Sequence, residues 1–509
     1  MIKRRDFLKT SAATAGLLGL SATLPARAAA TKGGHLVIGT TGGSAGDTLD
    51  PTKLTSVGHG VMGYTLGNCL TEIEEGGELV GELAESWESS SDAVTWTFSL
   101  RQGVTFHNGQ PMTAADVIYS INLHRGEDST SGAKGLLSNI ADVTADGDHT
   151  IVVTMTAGNA DVPYLMADFH LLVVPAGTED YSAGVFTGPY MLKEFVPGER
   201  LSATRNPNYW KADRAHVESI DVLFVDDTTA RISGLITGEI HIAGRVDPQS
   251  AALIDGAPGV HTENHPAAGH RPLLMACDRA PFDNLDLRLA VKYSLDRPQI
   301  LENVMAGFGS LGNDHPIPPS DPFHAADIPQ RKYDPDKAAH HLGKSGFDGT
   351  LELHTSNTTF SGAEAMAALF QQSAAAAGLK VDIKREPADG FWSNVWMQKP
   401  FVSGAWGGRP TADIMLTTAY SSEASWNDTA WRRDDFDQKL AMARAETDFD
   451  TRKAHYHDLQ LMIHEDGGAG IPFFVNNVDG VRDEVKGFYP AGSFELSGMR
   501  VAERIWLES

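Results

Sequence analysis

Apolar and polar residues alternate along 94–100, where Val, Trp, Phe and Leu are separated by Thr, Thr and Ser. This period of two is typical of a strand with one buried face. Asn108-Gly109 then predicts a tight turn, and Thr113 followed three positions later by Asp116 predicts a helix start. The stretch 83–124 therefore predicts strand, turn and helix, and none of its residues has the character of a catalytic group.

Two further stretches each predict a strand, a helix and a second strand. The first covers 221–225, 227–238 and 240–243, and the second covers 351–355, 363–377 and 381–385. This order predicts parallel strands joined by a crossover helix. Shorter patterns predict strands at 35–38, 148–155 and 401–405, and helices at 61–70, 287–297, 336–343 and 456–463. The chain is therefore expected to have a mixed α/β fold.

The stretch 83–124 resembles the signature of the family 5 extracellular solute-binding proteins, the periplasmic receptors of dipeptide, oligopeptide and nickel importers. Further matches to that family are Leu49-Asp50-Pro51, Thr187 to Tyr190, Arg205 to Trp210, Pro281 to Arg297 and Tyr333 to Asp336. The resemblance implies a two-lobed periplasmic binding protein of type II, with an additional subdomain, that closes over a central cleft. It also implies a receptor rather than an enzyme.

The domain division follows from the element order together with this resemblance. We expect an export signal at 1–28 and a first lobe formed by 29–60, 175–270 and 480–509. The additional subdomain is placed at 61–174 and the second lobe at 271–479. The return of the chain to the first lobe rests on the resemblance alone.

The N-terminus has the pattern of a removable export signal. Lys3-Arg4-Arg5 precedes an apolar run over 11–24, and Ala26-Arg27-Ala28 has the form of a cleavage site. Arg4-Arg5 followed by Asp, Phe, Leu and Lys resembles a twin-arginine signal. We expect a mature chain that starts near Ala29 and is freely soluble in the periplasm; a buried or membrane-bound N-terminal helix is the alternative.

The composition bears on the partners of the protein. The 509 residues are 41% hydrophobic and 21% charged, with a formal net charge of −25, which becomes −29 when five basic residues and one acidic residue leave with the signal. Such acidity disfavours nucleic acids and anionic membrane surfaces. The expected partners are a solute and the permease subunits of an ABC transporter, with the protein acting as a monomer and without a cofactor.

Cysteine and histidine usage gives little sign of metal chemistry. Cys69 and Cys277 both lie in apolar surroundings, so two unbonded buried thiols are expected, with a disulfide as the alternative. Histidines are grouped at 261–270, 340–341 and 455–464, and His457 and His464 could share one face of a helix. We expect most of these histidines to be on the surface and predict no metal site.

Ser44 is the one candidate nucleophile. Gly42-Gly-Ser44-Ala-Gly46 has the G-x-S-x-G spacing of hydrolases, but that motif needs a helix directly after the serine, and Asp50-Pro51 follows within a few residues. A secreted serine hydrolase is therefore a distant alternative. In the family this loop lies at the mouth of the ligand cleft, which makes Ser44 a ligand-binding candidate by resemblance.

The tryptophan-rich region 392–431 contains five of the nine tryptophans. Aromatic walls with a few polar groups are what a pocket for a small polar solute needs. Trp396 and Trp431 are interpreted as core residues. The remaining three tryptophans and one neighbouring amide are binding candidates: Trp392, Trp406, Trp426 and Asn427.

Arg409 marks a departure from the peptide-binding pattern. Peptide receptors of the family usually carry an aspartate near this position, which takes the amino group of the ligand, whereas here the nearest carboxylate is Asp413. A guanidinium group suits a carboxylate. We hypothesise that Arg409 binds an anionic group of the solute while Asp413 receives an amino group or orients Arg409. An ion pair between the two residues is the alternative.

The resemblance implies capture of a small peptide or peptide-like solute and its delivery to a membrane permease. It does not choose the solute. A nickel chelate, glutathione, an opine or an oligosaccharide remains an alternative cargo for the same transport role.

Overall fold

The computed structural model describes residues 30–508, so the predicted export signal lies outside the described residues. The strands are β1 (His35–Thr40), β2 (Thr71–Ile73), β3 (Leu79–Gly81), β4 (Ala84–Ser89), β5 (Thr95–Leu100), β6 (Ile140–Ala145), β7 (Thr150–Met155), β8 (Tyr190–Val196), β9 (Arg200–Arg205), β10 (Ser219–Phe224), β11 (Ile242–Ala243), β12 (Val260–His270), β13 (Leu273–Met275), β14 (Gly309–Leu311), β15 (Thr350–Thr355), β16 (Lys380–Arg385), β17 (Phe401–Ser403), β18 (Ala469–Gly470), β19 (Phe473–Arg482), β20 (Val485–Lys486) and β21 (Trp506–Leu507).

The helices are α1 (Val57–Leu66), α2 (Ala114–Leu123), α3 (Val162–Leu165), α4 (Thr228–Thr237), α5 (Ala251–Asp255), α6 (Leu285–Tyr293), α7 (Arg297–Met305), α8 (Pro335–Ser345), α9 (Ala363–Ala375), α10 (Phe391–Asn394), α11 (Ala412–Ala419), α12 (Asp434–Ala445), α13 (Phe449–Asp466), α14 (Glu495–Gly498) and α15 (Val501–Arg504). Each of these helices is too short or too polar to span a bilayer.

The largest sheet has the order β12-β19-β11-β1-β10-β9-β8, with β14 added to β19. β1 lies parallel to both β10 and β11, as the strand, helix, strand pattern at 221–243 predicts. The crossover helix α4 is capped by Asp227 and ends at Gly238, which has a φ of 88°. Glycine adopts this left-handed conformation at little cost, so the helix stops where the sequence indicates.

A second sheet has the order β16-β15-β17-β13-β18. β15 is parallel to β16, which confirms the second predicted crossover. The crossover helix α9 buries Met366, Ala367 and Phe370 against the sheet, and the core beneath it is separate from that of the largest sheet. Two independent cores are what two lobes require.

The stretch 83–124 belongs to a third, antiparallel sheet of order β4-β5-β7-β6. Trp96, Phe98 and Leu100 of β5 are buried while their neighbours are half-buried, as the alternation predicts. The Asp116 carboxylate accepts the backbone N–H of Thr113 at 2.8 Å and closes the capping box that starts α2. The expected strand, turn and helix are all present, and they have their own core.

Three predicted helices have clearly different bounds in the structure, and the one expected at 456–463 runs from Phe449 to Asp466. The helix expected at 61–70 begins at Val57, because the hydroxyl of Ser56 caps it by accepting the N–H of His59, and it ends at Leu66. The helix expected at 287–297 is divided into α6 and α7. Asp296 caps α7, and Pro298 in its first turn lacks the N–H needed to continue an earlier helix.

The chain passes between the two larger sheets four times, because β14 pairs with β19 of the largest sheet and lies in sequence between β13 and β15 of the second sheet. The first passage follows β12 at Arg271-Pro272, and the last lies at Ile471-Pro472 between β18 and β19. Sheet membership is therefore discontinuous in sequence, as it is in the expected two-lobed division. The domain boundaries themselves stay a prediction.

A buried ionic network joins the segment before β4 to the C-terminal helix. Lys211 Nζ lies 2.6 Å from Glu72, 2.9 Å from Glu82 and 2.7 Å from Glu503. Arg500 donates to both oxygens of Glu82 at 2.8 Å. Although burial alone would raise the pKa of Glu82, the charges of Arg500 and Lys211 hold it below its ordinary value. Each of these carboxylates therefore has cationic partners.

Cys69 and Cys277 are both unbonded thiols, as expected. Cys69 is buried and its Sγ lies 3.2 Å from the carbonyl oxygen of Asp168, whereas Cys277 is only half-buried. Burial raises the pKa of both thiols. Neither thiol therefore has the low pKa of a reactive cysteine.

Candidate functional site

A cavity of about 1110 Å³ lies at the carboxyl ends of the parallel strands of the largest sheet. Thr41, Asp226 and Arg245 follow β1, β10 and β11 and line it. Ligands of α/β proteins bind at this edge of a parallel sheet. Residues near the second and third sheets complete the wall. They include Phe360, Arg409, Trp426, Leu136, Asn139 and Asn159.

The loop that follows β17 lies at this cavity because backbone hydrogen bonds join this loop to the end of β12. His270 and Trp406 exchange both backbone hydrogen bonds at 3.0 Å. A Cβ atom on Gly408 would lie 3.1 Å from Ala268 Cβ and 3.2 Å from the carbonyl oxygen of Ser493, so a side chain here would require these neighbours to shift by a few tenths of an ångström. The contact brings Arg271 and Arg409, distant in sequence, to one wall.

Arg271 follows directly after β12 and is half-buried. Its Nη1 donates to the carbonyl oxygens of His270 at 3.0 Å and Trp406 at 3.1 Å. Its guanidinium carbon lies 5.3 Å from the centre of the Phe360 ring. Burial, together with the charge of Arg245, lowers the pKa of Arg271 to about 10. Arg271 therefore stays protonated at neutral pH.

Arg409 has a similar environment on the facing loop. Its Nη1 donates to the carbonyl oxygens of Gly407 at 3.3 Å and Gly408 at 3.2 Å, and its guanidinium carbon lies 5.5 Å from the centre of the Trp406 ring. Burial lowers the pKa of Arg409. Among residues 30–508, neither Arg409 nor Arg271 has a carboxylate oxygen within 4.0 Å.

Asp413 also lines the cavity, but its partner is Arg444. Arg444 Nε lies 3.1 Å and 3.0 Å from the two carboxylate oxygens, and Arg444 also donates to the hydroxyl of Thr417. Burial raises the pKa of Asp413 to about 6 in spite of this cation. The alternative ion pair between Arg409 and Asp413 is therefore not formed, and the carboxylate does not orient Arg409.

The other charged groups of the wall are mostly engaged. Arg231 donates to backbone carbonyl oxygens, including that of Gly244 at 3.2 Å. Asp226 and Asp247 accept the backbone N–H groups of Gly42 and Gln249, and Asp168 pairs with His170 at 2.6 Å. Arg245 is the exception, because within residues 30–508 the one acid that pairs with its side chain is Glu495, at 3.9 Å.

The predicted tryptophans occupy different environments. Trp426 lines the cavity and is 48% exposed, with its ring centre 6.1 Å from that of Trp406. Trp406 is buried behind Arg409. Trp392 is 46% exposed and packs edge-on against Phe391, away from the cavity lining. Two of the three tryptophans therefore form the wall or its support.

A buried carboxylate that the sequence did not indicate holds Trp406. Oδ2 of Asp428 accepts the indole N–H of Trp406 at 2.9 Å and that of Trp396 at 3.2 Å. Burial raises the pKa of Asp428 to about 7. The adjacent Asn427 is buried and donates to the carbonyl oxygen of Trp431 at 2.8 Å, so it supports the loop rather than the cavity wall.

Ser44 lies in an exposed turn outside the cavity lining. Its backbone N–H donates to Asp47 Oδ2 at 2.8 Å and its hydroxyl accepts the N–H of Gly46 at 3.3 Å. The next helix begins only at Pro51. The local geometry is thus a turn and lacks the strand-to-helix elbow of a hydrolase.

In the described part of the chain, one group of carboxylates has the spacing of a metal site: Glu72, Glu82 and Glu503. The position between them is taken by the ammonium group of Lys211. His457 and His464 lie about two turns apart on one face of α13, but their side chains have different partners and do not converge on one point. His457 lies 3.2 Å from Asp327 near the surface, whereas His464 is buried against the carbonyl oxygen of Asn313.

The sequence analysis missed Arg245, Arg271 and Phe360 as parts of the wall. A usable signal exists for Arg271, because it is a lone charge between apolar residues at the expected crossing between lobes. Arg245 follows a two-residue strand and has no such signal. The predicted residues that the structure brings together are Trp406, Arg409, Asp413 and Trp426.

Comparison with known proteins assigns this architecture to a family. A family model described as bacterial extracellular solute-binding proteins, family 5 Middle, matches residues 78–428. The glutathione-binding protein GsiB of Shigella boydii serotype 4 is 28% identical over 350 residues, which cover 67% of this chain and 68% of that protein.

Solved structures agree on the fold. HbpA2 from Haemophilus parasuis has a TM-score of 0.82 at 20% identity and covers 94% of this chain and 100% of its own. The periplasmic binding protein DppA from Helicobacter pylori, in complex with the peptide STSA, has a TM-score of 0.75 at 22% identity and covers 94% and 99%. These likenesses confirm the predicted binding-protein fold. The chain belongs to the family 5 bacterial extracellular solute-binding proteins, which serve ABC importers.

Proposed function

We propose that the protein captures a small peptide or peptide-like solute with an anionic group and delivers it to the permease of an ABC importer. The observation that carries this proposal is the pair Arg271 and Arg409, two guanidinium groups on one cavity wall with no carboxylate within 4.0 Å among residues 30–508. Desolvated cations without partners are costly, and an anionic ligand group would relieve that cost.

The cavity suits a solute of peptide size. Its volume of about 1110 Å³ is slightly above the range of roughly 300–1,000 Å³ found for ligand pockets. Trp426 and Phe360 offer apolar contact next to the two arginines. A carboxylate on Arg409 with an apolar segment along Trp426 is the arrangement that these residues favour.

Asp413 is a weaker candidate for binding an amino group than the sequence suggested, because Arg444 already contacts both of its oxygens. We therefore assign the amino group of a peptide, where one is present, to the remaining acids of the wall. Glu495 is the first candidate, because the distance to its partner Arg245, 3.9 Å, is long for an ion pair. Trp392, Ser44 and Asn427 have no direct role in this proposal.

Export to the periplasm through the twin-arginine pathway and action as a monomer belong to the same proposal. Export is supported by the N-terminal residue pattern and by the extracellular family. Transport without enzymatic chemistry is the corresponding expectation for the cavity.

The test begins with native mass spectrometry of the protein released gently from its host, which identifies any solute retained in the cavity. The affinity for that solute is then measured by calorimetry for the wild type and for Arg409→Gln. We expect a loss of about 10–100-fold, because a charged hydrogen bond contributes roughly 1.5–3 kcal/mol. Arg385→Gln, which removes a surface arginine paired with Glu364, is the matched control and keeps wild-type affinity.

Wild-type affinity of Arg409→Gln would contradict the anionic-group assignment. Glutathione is the first solute to add, because it is peptide-like and GsiB relatives are named for binding it. Retention of a metal chelate, an uncharged sugar or another solute without an anionic group would refute the proposed solute class.

A further inference from the structure

The geometry assigns a second anion subsite to Arg245 and Arg271, so we infer that the solute carries two anionic groups. This inference rests on the proposed function, in which Arg409 takes the first anionic group. The second subsite lies at the carboxyl end of β11, on the lining of the same cavity.

Arg245 is presented by an unusual backbone conformation. Its φ is 55°, a left-handed value that costs energy in a residue other than glycine. The conformation is held from both sides of the residue. The N–H of Arg245 donates to Oδ1 of the fully buried Asp479 at 3.0 Å, and its carbonyl oxygen accepts Nη2 of Arg231 at 3.1 Å.

This arrangement points an arginine into open space instead of into the protein. The side chain of Arg245 is 71% exposed although the residue lines the cavity. Asp479 is fixed in turn, because its Oδ2 accepts the N–H of Leu496 at 2.8 Å. Strained residues that the surrounding structure fixes are concentrated at ligand sites.

Arg245 and Arg271 both line the cavity. The charge of Arg245 contributes, after burial, to the lowered pKa of Arg271. The acid nearest to Arg245 is Glu495, at 3.9 Å from Nε, which is a long contact for an ion pair. A second carboxylate of the solute would offset this repulsion between like charges.

The chemical class that fits both subsites is a short peptide-like diacid. One carboxylate binds at Arg409 and a second binds between Arg245 and Arg271. Arginine binds carboxylates bidentately, so each subsite favours a carboxylate over an amide of the same shape.

The probes are tripeptides that differ in one carboxylate. The peptides are trialanine variants in which one of the three positions carries either Glu or the isosteric Gln, which gives three Glu/Gln pairs. Each peptide keeps one free C-terminal carboxylate. Dissociation constants are measured by calorimetry for the wild type, Arg245→Gln, Arg245→Lys and Arg409→Gln. Arg200→Gln, which removes an exposed arginine paired with Glu194, is the charge control.

We expect the wild type to bind the Glu peptide at least 10-fold more tightly than the Gln peptide in one or more pairs. Arg245→Gln reduces that ratio to about one, and Arg245→Lys retains part of it. Arg409→Gln weakens both members of a pair by a similar factor, because both carry the shared C-terminal carboxylate.

Peptide binding without a preference for Glu, or a preference that survives Arg245→Gln, would overturn the second subsite alone. Failure of every tripeptide to bind would overturn the peptide-like diacid together with the proposed solute class.

Discussion

Two groups of buried or half-buried charges in this protein differ in whether they are paired with opposite charges. In the network around Lys211 and Arg500, three carboxylates and their cations lie within ordinary ion-pair distances. At the cavity wall, Arg271 and Arg409 are half-buried and donate only to backbone carbonyl oxygens among residues 30–508.

We interpret the first group as structural, whereas the second is the group to which we assign a binding role. A buried charge is tolerated when its partners belong to the protein, and the Lys211 network satisfies this condition within the chain itself. Arg271 and Arg409 have no carboxylate partner among residues 30–508, so an external anion can compensate their partly desolvated charges. The structural group should therefore affect stability, whereas the wall should affect affinity.

The largest expected effect is on the network. Arg500→Leu leaves Glu82 and Glu503 without one of their cations, and both carboxylates are fully buried. We expect the free energy of unfolding to fall by about 3–5 kcal/mol, measured by urea denaturation. Arg385→Leu removes an exposed ion pair and is expected to cost about 0–1 kcal/mol. Equal losses of unfolding free energy in the two variants would contradict the structural role of the network around Lys211 and Arg500.

An intermediate effect is expected at Asp428, a buried carboxylate bound by two indoles. Its pKa is raised from 3.8 to about 7 in the folded protein. The contribution of Asp428 to the free energy of unfolding is therefore fully present below about pH 4 and is lost as the pH rises towards 7. Asp428→Asn keeps an acceptor for the indoles but cannot ionise. As the pH rises between these values, we expect the free energy of unfolding of the variant to increase by roughly 2–4 kcal/mol relative to that of the wild type.

The measurement at Asp428 is urea unfolding of both proteins at several pH values. Other carboxylates with raised pKa, such as Asp479, titrate in both proteins, so the difference between the two curves reports Asp428. Parallel curves would show that this carboxylate has an ordinary pKa.

The smallest expected effect is that of Arg409→Gln on stability. Arg409 has no protein carboxylate to lose among the described residues, and its removal relieves a desolvated charge. We expect the unfolding free energy to change by less than about 1 kcal/mol, while affinity falls as stated above. A thermal-unfolding midpoint that drops as far as in Arg500→Leu would mean that Arg409 is structural.

Much of the local fold could be predicted because its signals are local. The alternation in β5, the capping residues Thr113 and Asp116 and the terminating Gly238 each act within a few residues. The apolar pattern does not predict the helix bounds at 57–66 or the break before α7, because the cap at Ser56 and Pro298 determine them.

The site was predicted in part, and for a physical reason. Arg409 and Trp426 were found from composition and from departure from a family pattern. The partner of Asp413 could not be found, because Arg444 lies on α12 and meets it only through helix packing. Arg245 was missed because its exposure depends on Asp479, more than two hundred positions away.

The sequence by itself determined the receptor family, the order of elements and the chemical character of the loop at 406–413. Hydrophobic period, caps and turns are properties of neighbouring residues, so one sequence suffices to read them. Only the tertiary structure decided which charges are paired. Pairing depends on distances of a few ångströms between Lys211, Arg444 or Arg271 and residues far along the chain, and such distances are set by packing.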